Sequence, residues 1–268
     1  MQNRAAQHSG KLKDQNKEAI ETSCGFLTFM LRSNRFIIGF DEADSEEIQK
    51  SISNHLVSPT QSGIDVKLRL EKKGTQKTIF PKFECTTDLL VKGDILTSCF
   101  VEEVINVYPG QKYLHLQNIH GELENYSRIF DIPEVSIKDS GHLALEFIEN
   151  FKGKHLLLQN ASPSRYVWKL FLENWNNGAK YQNLESIILY SNLGNLFFHT
   201  LEMYFLKHWI LLRFGRDHPS VPKEYKYATK YLTTTYDCQN AVNIKRKSDG
   251  KTASILITSY AFHFFCLE

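Results

Sequence analysis

KYLHLQN at 112–118 returns as KHLLLQN at 154–160, and the reading of that pair decides the fold. In each copy two leucines stand two residues apart, Leu114 with Leu116 and Leu156 with Leu158, and an asparagine follows two residues later, Asn118 and Asn160. Two more segments share the plan: Val135 with Ile137 before Asp139, and Ile187 with Leu189 before Ser191. Apolar residues at i and i+2 lie on one face of a strand. From the second apolar residue of each pair to the next the spacings are 21, 21 and 31 residues. That leaves room for a crossover of about 15 residues, which parallel strands require and antiparallel ones do not. The clearest crossover helix spans 164–175, with Val167, Phe171 and Trp175 in register.

A side-chain amide or carboxylate at a strand end can satisfy backbone groups where the ladder stops, which is why leucine-rich repeats keep Asn there. One such unit cannot bury its apolar face alone, so units stack into a sheet backed by helices. The expected fold class is therefore α/β: a leucine-rich-repeat-like parallel βα layer. The alternative is coincidental spacing of ordinary α/β elements.

Working outward, 1–22 is rich in polar residues and reads as a mobile tail. The part from 23 to 110 reads as an N-terminal α/β segment. RFIIGF at 35–40 suits a strand, DSEE at 44–47 opens a short helix toward His55, and 63–70 alternates as a strand. Leu96, Phe100 and Val104 mark an amphipathic helix that Pro109 and Gly110 end. The repeat domain is expected to span 111–268. Within it, 196–212 is apolar and aromatic and reads as a buried helix, and 213–227, with Pro219 and Pro222, as a loop. The end reads as an antiparallel cap: strands at 241–246 and 252–258 around the turn KSDG, then a third at 261–266. Such a hairpin could close the edge of the parallel sheet.

Composition excludes several classes. The 268 residues are 42% hydrophobic and 23% charged, ordinary globular usage. Thirty-two Lys and Arg against 30 Asp and Glu leave +2, too little for a nucleic-acid footprint. No apolar run reaches a membrane span, and 1–16 has no apolar signal core. An intracellular protein, cytoplasmic or nuclear, is expected. Its five cysteines (Cys24, Cys85, Cys99, Cys238 and Cys266) have no zinc or redox spacing and read as free thiols.

Catalytic and cofactor fingerprints fail in turn. Gly250, Lys251 and Thr252 resemble the tail of a phosphate loop, but Lys245 stands where the first glycine belongs, and the segment lies in a hairpin. The sequence carries no Gly-x-Ser-x-Gly, no His-Glu-x-x-His and no Gly-x-Gly-x-x-Gly. His115 with His120, and His199 with His208, are spaced wrongly to share a helix face. No enzyme, no metal and no cofactor is expected.

Three segments, GKHLLLQNAS at 153–162, LFLENWNNG at 170–178 and NLESIIL at 183–189, resemble in that order the F-box-associated domain of the expanded nematode F-box protein family. NIKRKSDGKTASI at 243–255 is similar to that family's closing hairpin. The resemblance covers roughly 113 to the C-terminus. It implies substrate recognition for a cullin-type ubiquitin ligase, with an N-terminal F-box docking on a Skp-type adaptor. The chain departs from the family in that no Leu-Pro dipeptide occurs and 1–34 offers only a late cluster, Ile20, Phe26, Leu27, Phe29, Met30 and Leu31. A binding or decoy scaffold without the ligase is the alternative.

With the apolar pairs facing the helices, the alternate residues face the other way. Tyr113, His115, Gln117, Lys138, Leu157, Gln159 and Tyr190 are the candidate protein-binding strip, beside Ser136 and Ile188. Either that face is free, or the C-terminal sheet or the N-terminal part covers it as a second core.

Overall fold

Alternation at 113–118 and its repeats becomes a sheet because one side of every strand is apolar and must be covered. The computed structural model describes the backbones of 17–22, 25–31, 35–39 and 65–72, and residues 86–267 apart from 163–164, 192–195, 215–223 and 231. The strands are β1 Lys17–Thr22, β2 Gly25–Leu31, β3 Arg35–Gly39, β4 Asp65–Lys72, β5 Thr86–Gly93, β6 Tyr113–Asn118, β7 Glu134–Asp139, β8 His155–Ala161 and β9 Ser186–Ser191. After them come β10 Glu224–Ala228, β11 Thr233–Asp237, β12 Val242–Lys245, β13 Thr252–Ile257 and β14 Ala261–Leu267. Twelve strands form one sheet in the order β1-β2-β3-β4-β5-β6-β7-β8-β9-β14-β13-β12, and β10 and β11 form a sheet of two. From β4 to β9 every strand is parallel to its predecessor and beside it. The strands at both ends are antiparallel. This is a mixed α/β fold with a mostly parallel sheet and an antiparallel C-terminal end.

The core lies on the helix side. Leu114, Leu116, Val135, Ile137, Leu156, Leu158, Ile187 and Leu189 are buried there with residues of α1 Ser98–Val107, α2 Ala144–Asn150, α3 Arg165–Asn177 and α4 Leu196–Phe214. Thr97 caps α1 by accepting the N–H of Phe100 at 3.3 Å. Trp168, Phe171 and Trp175 turn inward from α3. Gly178 ends that helix at φ +71°, where a Cβ would also strike Ser248 Oγ.

Of the strand-end amides, Asn118 bonds backbone groups as expected, whereas Asn160 bonds a side chain. Asn118 accepts the N–H of Leu96 at 3.0 Å and donates to the carbonyls of Gly93 at 2.9 Å and Asp94 at 3.0 Å. Asn160 donates to Asp139 at the next pair of strand ends. Asn118 is buried, so its replacement by alanine strands one N–H and two carbonyls. Asn118→Ala is expected to cost roughly 2 kcal/mol of stability in urea unfolding. An unchanged midpoint would show that the amide ladder is not structural.

Three expectations need correcting. Lys17–Thr22 is not tail but strand, paired with β2. The late apolar cluster is strand as well: Ile20 falls on β1, and Phe26, Leu27, Phe29, Met30 and Leu31 fall on β2, which pairs with β1 and β3. The 213–227 loop gives way to a strand at Glu224, because Tyr225 and Tyr227 alternate. And α4 is buried on one side only: Met203, Leu206 and Ile210 are inside, while Tyr204, Phe205 and Leu212 are exposed, since among the described residues no further layer covers them. The expected helix from Asp44 toward His55 lies outside the described residues.

The cap forms as read, with one refinement. The hairpin β12–β13 does not pair with the parallel strands; β14 joins them, antiparallel to β9, and β13 follows.

Candidate interaction face

Pleating gives the sheet a second face, and parallel register sorts its residues into rows that run across the strands. One row runs Asp88, Tyr113, Glu134, His155, Ser186 and Phe265. The next runs Leu90, His115, Ser136, Leu157, Ile188 and His263. One step further, Gln117 lies beside Lys138, whereas β8 and β9 slip in register between Leu158 and Ala161.

The hairpin β10–β11 lies over part of these rows. Leu157, Ile188, Tyr227, Cys238 and Phe265 form a second buried cluster, with Tyr190, Tyr225, Leu232 and Tyr236 packed against it. Tyr225 stacks on Phe265 at 4.1 Å, and Tyr227 meets the His155 ring edge-on at 5.9 Å. The hydroxyls of Tyr190 and Tyr236 are 3.0 Å apart. Burial raises the Tyr227 and Tyr236 phenols above their ordinary value, so both are neutral there.

At the hairpin tip the contact is ionic. Lys230 Nζ lies 2.7 Å from Asp88 Oδ2, with the two side chains 9% and 0% exposed. The same ammonium sits 4.2 Å from the centre of the Tyr113 ring, a cation–π geometry. The Lys230 backbone N–H donates to Glu134 Oε2 at 3.2 Å. Burial raises the Glu134 carboxyl, and Lys230 pulls it back down. His155 Nδ1 lies 2.9 Å from Ser186 Oγ, and its Nε2 3.3 Å from Glu185 Oε2. Burial lowers this imidazole while Glu185 opposes the shift.

The expected strip therefore divides. Leu157 is not surface; it is 4% exposed beneath the hairpin, because β10–β11 supplies it with a second core. Tyr190 and Tyr113 are half-buried and engaged by Tyr236 and Lys230. His115, with Nδ1 3.1 Å from Ser136 Oγ, Gln117 and Gln159 are half-buried, and Lys138 is exposed. Of the two alternatives left open for this face, partial cover by a C-terminal element is the one realised. Asp88, Glu134, His155, Lys230 and His263 were missed. The alternation of Tyr225 with Tyr227 and of Thr234 with Tyr236 was the available signal.

Among the described residues no group of His, Cys, Asp and Glu could hold a metal ion, and no helix is long and apolar enough to cross a membrane. Fold and face together define a mixed α/β protein whose sheet is helix-backed on one side and half covered by a hairpin on the other. Compared with family models, curated proteins and solved structures, the chain matches none.

Proposed function

We propose that this chain is a non-enzymatic, intracellular protein-interaction module that recognises a target for a cullin-type ubiquitin ligase, using the second face of a leucine-rich-repeat-like sheet. The observation that carries the binding reading is a polar row led by the exposed Lys138. Gln117, Lys138 and Gln159 stand side by side on β6, β7 and β8, about 5 Å from strand to strand, an arrangement that suits a partner segment laid across the sheet. Support for the leucine-rich-repeat-like reading comes from the sequential parallel order and the bonds of Asn118. Support for the resemblance to F-box-associated domains comes from contiguity: its three segments fall on β8, α3 and β9, and its hairpin on β12–β13.

One observation favours a second reading, a binding or decoy scaffold with no ligase. An F-box is helical, and the apolar cluster at 20–31 falls on strands β1 and β2. Co-precipitation of the tagged full-length chain with Skp-type adaptors separates the two. Stoichiometric adaptor and cullin are expected for the ligase subunit, and their clean absence sinks it and leaves the scaffold.

A further inference from the structure

The hairpin that covers half of the face is attached in an unusual way. Its strands hydrogen-bond to each other and to neither edge of the large sheet. A two-stranded hairpin is marginal by itself in water, so its place depends on what lies beneath it. Glu224, Lys226, Ala228, Thr233, Thr235 and Asp237 face solvent. Thr229 closes the tip by exchanging hydrogen bonds with Leu232 at 2.9 and 3.3 Å. From that tip Lys230 reaches across β7 to Asp88 on β5 and Tyr113 on β6.

Apolar side chains in place of both charges would hold such a tip more firmly. Taking an ammonium and a carboxylate out of water costs nearly as much as their attraction returns, and opening the contact rehydrates both. A contact so balanced suits a hairpin that docks and undocks. Beneath it lie a carboxylate that accepts an ammonium, the Tyr113 ring, and the apolar patch of Leu157, Ile188 and Phe265. Aromatic and apolar anchors around a desolvated charge pair are the makings of a protein interface.

We propose that β10–β11 is a displaceable lid, and that the partner offers a lysine to Asp88 and Tyr113, with aromatic side chains over Leu157 and Phe265, in place of the chain's own Lys230 and tyrosines. The proposal rests on the protein-binding reading and makes the covered half of the face its principal site. The hairpin is then an internal competitor, and partner affinity is set by the fraction of chains with the lid open.

Hydrogen exchange on the full-length chain tests the lid without any partner. Amides of β10 and β11 are expected to exchange through a local opening, ahead of those of β9 and β14. K230M is expected to speed hairpin exchange on the order of 100-fold, the effect of unpairing a buried charge, while β9 and β14 keep their protection. D88N is expected to act in the same direction. If hairpin and β14 amides exchange together, and K230M lowers both equally, the hairpin is a fixed part of the fold and the lid is overturned. Protein binding would still stand, because co-precipitation tests it separately.

A synthetic peptide of residues 224–237, added to full-length K230M, tests the partner chemistry. Binding about tenfold tighter than that of the same peptide carrying K230M is expected from one charge-assisted contact. Equal binding by the two peptides, or none by either, overturns the lysine requirement.

Discussion

Trp168→Ala is expected to remove roughly 3–5 kcal/mol of stability, the usual cost of truncating a fully buried tryptophan. The indole is 1% exposed and stacks on Phe262 at 3.8 Å and 23°, with the Phe171 ring edge-on at 6.3 Å. Phe262 belongs to β14, so this stack is the joint between α3 and the strand that carries the C-terminal cap onto β9. A cavity at the joint loses the packing of both elements, and neighbouring rings cannot collapse into it without leaving their own edge contacts. Phe171, for one, also meets Phe264 at 5.0 Å and Tyr181 at 4.9 Å. For a chain of this size the loss corresponds to a fall in melting temperature on the order of 10 °C. Trp168→Phe, which keeps an aromatic face toward Phe262, should recover more than half of it. Urea unfolding followed by far-UV circular dichroism measures both variants. A loss below about 1 kcal/mol for the alanine variant would mean that α3 is not packed on the cap as described.

The parallel layer was legible because its information is local. Leu114 with Leu116, and the three pairs like them, state within a few residues which side of a strand is buried, and Asn118 states where the strand stops. The second face was not, because its organisation is not local. Asp88 reads as a charge between two threonines and a short apolar run, and its ammonium lies 142 positions later, at Lys230. No window of a dozen residues contains both, so β5 gave no strand signal of the alternating kind. The hairpin was hidden for a related reason: Pro219, Pro222 and the lysines around Tyr225 argue for loop, and the tyrosine alternation matters only once a patch such as Leu157 and Phe265 exists to receive it. The α4 helix shows the converse limit. Its apolar composition announces burial, but composition cannot count layers, and Tyr204, Phe205 and Leu212 remain exposed on the outer side.

Acid is expected to unfold the covered face first, and His263 gives the sign. The ring is 3% exposed, packed by Tyr236 at 4.6 Å, Tyr190 at 5.8 Å and Phe265 at 6.0 Å, and burial pushes its imidazole down to about 4. In the unfolded chain the ordinary value is about 6.5. Between those values the unfolded chain binds a proton that the folded chain excludes, so stability rises with pH across that window. The contribution is complete above about 6.5 and is lost as pH falls toward about 4. The gap corresponds to ~3 kcal/mol. His155, lowered by burial beneath Tyr227, acts with the same sign despite Glu185. Both histidines lie under β10–β11, so their protonation weakens the side of the sheet that the hairpin packs against. Carboxylates across the whole chain also titrate toward the acid end, so the informative quantity is a difference. Urea midpoints of wild type and His263→Phe, measured from pH 8 to pH 4.5, should separate progressively below pH 6.5, with the variant losing less. Parallel curves would mean that His263 is not held neutral by the aromatic cluster, and that the acid sensitivity of the fold lies elsewhere.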